Sequence, residues 1–169
     1  MWGLNIRDVV SMTKTIDPKL SIGMPVYNGE AYIAEAITSL LEQTRSDFEL
    51  IISDNASTDN TQEIIKGFAA KDPRIQHFRQ EQNLGAAGNF RYVLEKSQAP
   101  NFMWAAADDV WDQRWIETLL PLVLDKPCLA YGRLMTIDAQ GKKLAHPADD
   151  RDFNFTGSRL RRRLRYFLM

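Results

Sequence analysis

Three short segments hold the residues able to do chemistry. Asp108 and Asp109 are adjacent carboxylates directly behind the apolar run Phe102–Ala105. Paired this way they form a hard, oxygen-only pole suited to Mg²⁺ or Mn²⁺, ions that keep several waters and share phosphate oxygens. A cation there would neutralise a diphosphate and stabilise it as a leaving group. The plain alternative is that both carboxylates favour the positive end of the helix that follows. Asp54 closes a second apolar run, Ile51-Ile52-Ser53. Its carboxylate could accept from a nucleobase N–H or a ribose hydroxyl, or close an Asx turn with Asn55. The third segment is Met24 to Glu30. Pro25 fixes the backbone and removes a donor. Val26 follows it, and Tyr27 offers a ring that could stack on a base or anchor the loop. Glu30 could contact a nucleoside or favour the start of the next helix. A further small-residue loop, with Asn83, Gly85, Gly88 and Asn89, would let the backbone approach a ligand closely.

Each segment must be held by a strand. Leu20–Met24, Phe48–Ser53, Ile75–Arg79 and Phe102–Ala105 read as strands, and the Ile51-Ile52 pair suggests burial on both faces. Between them, Ile33, Ile37, Leu40 and Leu41 recur at helical spacing over 31–43. Asn60 with Glu63 three residues later reads as a capping box for a helix carrying Ile64, Ile65 and Phe68. Asn89–Lys96 and Trp115–Leu124 are expected as helices, the second kinked or interrupted at Pro121. Leu129–Ile137 is expected as a last strand, with a turn at Asp138–Gly141 and a hairpin return over Lys142–Ala145. Strands alternating with helices predict an α/β fold: a Rossmann-like, mostly parallel sheet with helices on both faces. Open sheets of this kind bind ligands at the carboxyl ends of their strands. The three chemical segments would then meet on one edge.

The chain's 169 residues suffice for one domain with a real core. A net charge of −1 gives no field to draw the protein to nucleic acid. Cys128 is alone, so no internal disulfide is possible, which fits a reducing compartment. No apolar run reaches the roughly 20 residues that span a bilayer. His77 and His146 lack metal-ligand spacing. A Gly-x-Gly-x-x-Gly fingerprint after the first strand is missing, which disfavours a nicotinamide oxidoreductase.

With their order and spacing taken together, these segments resemble the nucleotide-sugar half of a family 2 glycosyltransferase, of the inverting GT-A fold, over about residues 20–145. The resemblance implies that Pro25, Val26, Tyr27 and Glu30 cradle the nucleoside. Asp54 matches the base-contacting aspartate of the family's Asp-x-x-Ser-x-Asp pattern, here Asp54 to Asp59. Asn83, Gly85 and Asn89 match its Asn-x-Gly loop and the helix after it. Asp108 and Asp109 match its acidic motif, one carboxylate meeting ribose or sugar and the other the metal, Mn²⁺ or Mg²⁺. The segment 137–142 resembles its later hairpin. The chain departs from the family at Ala106 and Ala107, where another Asp is frequent, and at Gly88, where Arg is frequent.

The resemblance implies transfer of a sugar from a nucleotide-diphosphate donor, a UDP- or dTDP-sugar, to a hydroxyl of a glycan or lipid-linked acceptor, with inversion. It further implies a role in cell-envelope polysaccharide synthesis and a cytoplasmic setting at the inner face of the membrane. No catalytic base is identified, since the late acidic residues Asp149, Asp150 and Asp152 align with none. The alternative is a truncated nucleotide-sugar-binding module without turnover. The expected organisation is an N-terminal arm over 1–18, a nucleotide-sugar-binding domain over 19–147, and an incomplete acceptor half or basic tail over 148–169. The tail carries Arg159, Arg161, Arg162, Arg163 and Arg165. It could lie on an anionic membrane or form the first helix of an acceptor half; the second reading is preferred.

Overall fold

The structure is a computed structural model that describes residues 17–125 and 127–145. The arm up to residue 16, His146, the late acidic residues and the basic tail lie outside the described residues. The chain divides after Ala130 into two units.

In the first unit four parallel strands form one sheet in the order β3-β2-β1-β4: β1 Leu20–Val26, β2 Phe48–Asp54, β3 Ile75–Arg79 and β4 Phe102–Trp104. The helices are α1 Ile33–Leu41, α2 Thr61–Ala69, α3 Gly85–Glu95 and α4 Trp115–Leu124. Every residue of β1 and β2 is buried, as expected for central strands covered on both faces. Their side chains alternate between two layers. Ile22, Met24, Phe48, Leu50 and Ile52 pack in one cluster with Ile33, Ile37 and Leu40 of α1, Ile65 of α2 and Ile116 of α4. The opposite layer belongs to α3 and is more polar. There Asn89 bonds to Ser53, and Gly23 leaves room for Phe102 and Val93.

The four strands of this unit fall where the sequence places them, with β1 extended two residues to Val26. Three local expectations change. Helix α3 begins at Gly85, so the expected loop is its first turn. Gly85 turns the chain at φ +72°, its N–H meets Asn83 Oδ1 at 2.8 Å, and the alanines behind it are strong helix formers. No capping box forms at Asn60, whose side chain caps nothing. Asp59 accepts from the Thr61 N–H at 3.0 Å and Glu30, from the first loop, accepts from the Asn60 N–H at 2.9 Å. Nearby carboxylates thus serve free N–H groups at the helix start, and that of Asn60 is one the box would have served. Pro121 leaves α4 continuous from Trp115 to Leu124.

The segment Leu129–Ile137, which ends in the second unit, makes no strand ladder. A strand needs a partner along its length, and among the described residues only one antiparallel bridge forms, Ile137 with Lys143. The expected turn is present: Asp138 Oδ1 accepts from Gln140 and Lys142 N–H, and Leu144 N–H returns to Thr136 O at 2.8 Å.

Candidate functional site

The strand order places the switch of sheet direction at β1. From β1 the chain moves to β2 and β3 on one side, and later to β4 on the other. The crevice outside the carboxyl ends of such neighbours is where open α/β sheets take ligands. All three chemical segments leave the sheet here. Val26 is in register with Asp54, and Gly23 with Trp104. A Cβ built on Gly29 would stand 3.8 Å from the Cβ of Ala107, so the first loop and the acidic turn are neighbours.

The first loop is laced to the β2–α2 loop. Asn28 N–H donates to Ser57 Oγ at 2.9 Å, and Asn28 Oδ1 accepts from Thr58 N–H at 2.8 Å. Gly29 N–H donates to Thr61 Oγ1 at 2.8 Å and Glu30 N–H to Asp59 Oδ2 at 3.1 Å. Burial alone would raise the Asp59 carboxyl, but hydrogen bonds from Thr61 and from Glu30 N–H outweigh it and hold the group below its ordinary range. Asn28 and Ala56 both adopt the left-handed conformation, at φ 52° and 61°. For alanine this costs about 1–2 kcal/mol, and the bonds on either side hold it there. Ser57 and Asp59 act as loop and cap residues.

Asp54 is fully buried. Its Oδ1 accepts from Ser57 N–H at 2.8 Å, three residues on rather than the two of an Asx turn, and its Oδ2 pairs with the Arg79 guanidinium. Arg79 also donates to Ser57 O at 2.9 Å. Arg79 was not singled out in the sequence. The signal was its place at the end of β3, level with Asp54 in the register.

Between β1 and α3 lies a cleft of about 190 Å³, lined by Pro25, Val26, Tyr27, Asn55, Asn83, Ala86, Asn89 and Phe90. Tyr27 stands half exposed at its rim. Asn89 is buried and its amide is fully engaged: Oδ1 accepts from Ser53 Oγ at 2.6 Å, while Nδ2 donates to Ser53 O at 2.9 Å and Val26 O at 3.4 Å. Asn83 and Gly85 are exposed and tied to Asn55. Of the residues expected at a nucleoside, Pro25, Val26, Tyr27, Asn83 and Asn89 line this one cleft. Asp54, in register beside Val26 and fully buried, is not among its lining residues, and Glu30 is turned toward α2.

The acidic turn is fixed at both ends. Ala105 N–H bonds to Gly23 O at 2.9 Å. Behind the turn, Trp111 N–H meets Ser39 Oγ at 3.2 Å, and Gln43 holds Asp112 O at 2.7 Å and Ile116 N–H at 2.9 Å. Ser39 and Gln43 are buried polar residues of the α1 segment, another signal the sequence reading passed over. Asp108 and Asp109 remain exposed. Desolvation first, then the charge of Asp108, pushes the Asp109 carboxyl above its ordinary value. Among the described residues no third His, Cys, Asp or Glu joins them as a metal-holding group. Two free carboxylates with like-charge repulsion suit a hard divalent cation that draws its other ligands from phosphate and water.

Among the described residues no helix is long and apolar enough to cross a membrane. The family model described as glycosyl transferase family 2 matches residues 21–168. The putative teichuronic acid biosynthesis glycosyltransferase TuaG of Bacillus subtilis is 32% identical over 111 residues, covering 66% of this chain and 44% of that protein. An uncharacterized glycosyltransferase of Haemophilus influenzae is 34% identical over 128 residues, 75% of this chain and 51% of its own. The chain therefore spans about half the length of these curated relatives. Among solved structures, Staphylococcus aureus TarS 1–349 in complex with UDP-GlcNAc superposes with a TM-score of 0.55 at 28% identity, over 59% of this chain and 29% of that one. The mannosyltransferase PcManGT of Pyrobaculum calidifontis, in complex with GDP-Man and Mn²⁺, is 22% identical with a TM-score of 0.55, over 60% of this chain and 31% of its own, and bears on the fold alone.

Proposed function

Because this chain belongs to glycosyl transferase family 2, with its GT-A fold, we propose that it binds a nucleotide-diphospho-sugar and serves the donor side of sugar transfer to an acceptor hydroxyl. The observation that carries this reading is the convergence of three loop tips on one crevice at the switch between β1, β2 and β4. The TarS complex with UDP-GlcNAc makes a UDP-sugar the first donor to try.

In this reading the nucleoside enters the cleft beside Tyr27, whose half-exposed ring is free to stack on the base. Pro25 and Val26 form the apolar floor. Asn83 and Gly85 give a close backbone approach at the cleft's other wall. Asp54, held by Arg79 and Ser57, keeps the β2 loop in place behind the cleft. Asn89 fixes the wall through Ser53 and Val26. Asp108 and Asp109 would hold Mn²⁺ or Mg²⁺, one of them also meeting ribose or sugar. When bound, that ion supplies charge neutralisation for the departing diphosphate. The acceptor hydroxyl attacks the anomeric carbon from the far side, so the product is inverted. Its proton goes to a carboxylate base, which is not among the residues assigned here. Cell-envelope polysaccharide synthesis is the setting the relatives suggest, with TuaG named for teichuronic acid biosynthesis.

A second reading is a nucleotide-sugar-binding module without turnover. Calorimetry with UDP, with and without Mn²⁺, tests the shared core of both readings. Binding is expected to tighten at least tenfold with Mn²⁺, and Asp108→Ala and Asp109→Ala are expected to abolish that gain. Metal-dependent binding unchanged in both variants would end the site assignment. Release of UDP from UDP-GlcNAc in the presence of acceptor extracts then separates enzyme from module.

A further inference from the structure

We propose that Asn55 is a positioning residue, which sets the wall that α3 presents to the cleft; the proposal rests on the nucleotide-cleft reading above. Asn55 directly follows β2 and is 3% exposed. Its N–H bonds to Val26 O at 2.9 Å, extending the β1–β2 ladder by one residue. Its side chain then reaches across to the start of α3. Oδ1 accepts from Leu84 N–H at 2.8 Å, while Nδ2 donates to Asn83 Oδ1 at 2.9 Å and to Gly85 O at 3.3 Å. Both donors and the acceptor oxygen of one buried amide thus bond to three successive residues.

Those three residues need an outside hold. Leu84 stands at the helix N-cap without a side-chain cap bond, and Gly85 turns at φ +72° with no side chain of its own. One turn later Asn89 makes the second anchor, to Ser53 and Val26. Ala86 and Phe90 line the cleft around this stretch. Asn55 holds the upstream end and Asn89 the downstream end. Loss of the first leaves the helix anchored by Asn89 and Val93 while its first turn drifts from Tyr27.

The polarity of the clasp gives a specific test. Asn83 acts in it only as an acceptor, since Oδ1 takes both the Asn55 amide and Gly85 N–H. Aspartate can therefore replace Asn83 and keep both bonds. Aspartate at 55 keeps the acceptor for Leu84 but loses the donor. Amide exchange and UDP calorimetry are measured on the full chain. Asn55→Ala is expected to speed exchange at Leu84 and Gly85 at least tenfold, to leave Val93 protected, and to weaken UDP binding about tenfold. Asn83→Asp is expected to keep wild-type exchange. Asn55→Asp, the variant to use if Asn55→Ala fails to fold, is expected to lose protection at Gly85 more than at Leu84. Unchanged exchange in Asn55→Ala, or faster exchange with unchanged UDP affinity, overturns the positioning role. A wild-type chain that binds no UDP overturns the nucleotide reading itself and this proposal with it.

Discussion

Replacing Arg79 with alanine tests whether the Asp54 carboxylate is held by a partner or merely tolerated. Asp54 has no exposed surface, and its Oδ2 relies on the Arg79 guanidinium. Breaking a fully buried ion pair costs about 3–5 kcal/mol, because the survivor is left charged and dry. An exposed pair contributes about 0–1 kcal/mol. Arg79 lies between these limits, with its side chain 36% exposed, so water can enter the space it vacates. Ser57 N–H still serves Oδ1. The lost bond to Ser57 O adds a smaller term, since a carbonyl near the surface can find water. We therefore expect Arg79→Ala to lose about 2 kcal/mol. At about 2–4 °C per kcal/mol for a chain of this size, Tm falls by roughly 4–8 °C. Urea unfolding supplies the free energy and a thermal melt the temperature. The sharper arm is the double variant. Asp54→Asn removes the charge and keeps an acceptor for Ser57, so in the Arg79→Ala background it should recover about 1 kcal/mol. A loss under about 0.5 kcal/mol in the single variant, or no coupling between the two sites, would refute this account of the pair.

Two further outcomes are expected. A Cβ on Gly23 would meet the Phe102 ring at 2.7 Å and Val93 Cγ2 at 2.8 Å. Gly23→Ala should therefore cost about 1–3 kcal/mol in urea unfolding, and should displace three-residue β4 enough to weaken the Mn²⁺-dependent part of UDP binding. His77 is half-buried with its Nε2 unpartnered. Desolvation, with Lys66 and Arg79 adding to it against Asp54 and Glu63, holds its pKa below the ordinary 6.5. The unfolded chain then takes up a proton first as pH falls below about 6.5. The stability contributed by neutral His77 is complete above that pH and lost on the way down to the folded pKa. Urea midpoints between pH 8 and 5 should fall less steeply in His77→Gln than in the wild type, and equal slopes would contradict the assignment.

The strands were legible because burial leaves a local mark. Ile51-Ile52 and the apolar spacing of Ile33, Ile37 and Leu40 are consequences of covered faces, visible within a window of a few residues. The convergence of the loops was legible too, since parallel strands must send their carboxyl ends to one edge. What the sequence hid was where each polar side chain spends its hydrogen bonds, because those partners are distant along the chain. Glu30 reads as a ligand contact or the start of α1, yet its carboxylate bonds to Asn60, thirty residues on. Asn60 reads as a cap and caps nothing, because Asp59 and Glu30 reach the helix end first. Leu129–Ile137 has strand-like composition, but composition supplies no partner.

These commitments sort the site. Asp54, Asn55 and Asn89 bind the loops to the sheet and one another, at burial that leaves their amides and carboxylate engaged. Tyr27, Asp108 and Asp109 stay exposed on loops so fixed. A frame whose polar groups are already satisfied does not reorganise when a charged ligand arrives, so the exposed groups can act with little entropic cost. Substitutions in the frame should thus move stability and affinity together. Substitutions at Asp108 and Asp109 should move metal-dependent affinity while leaving the urea midpoint nearly unchanged.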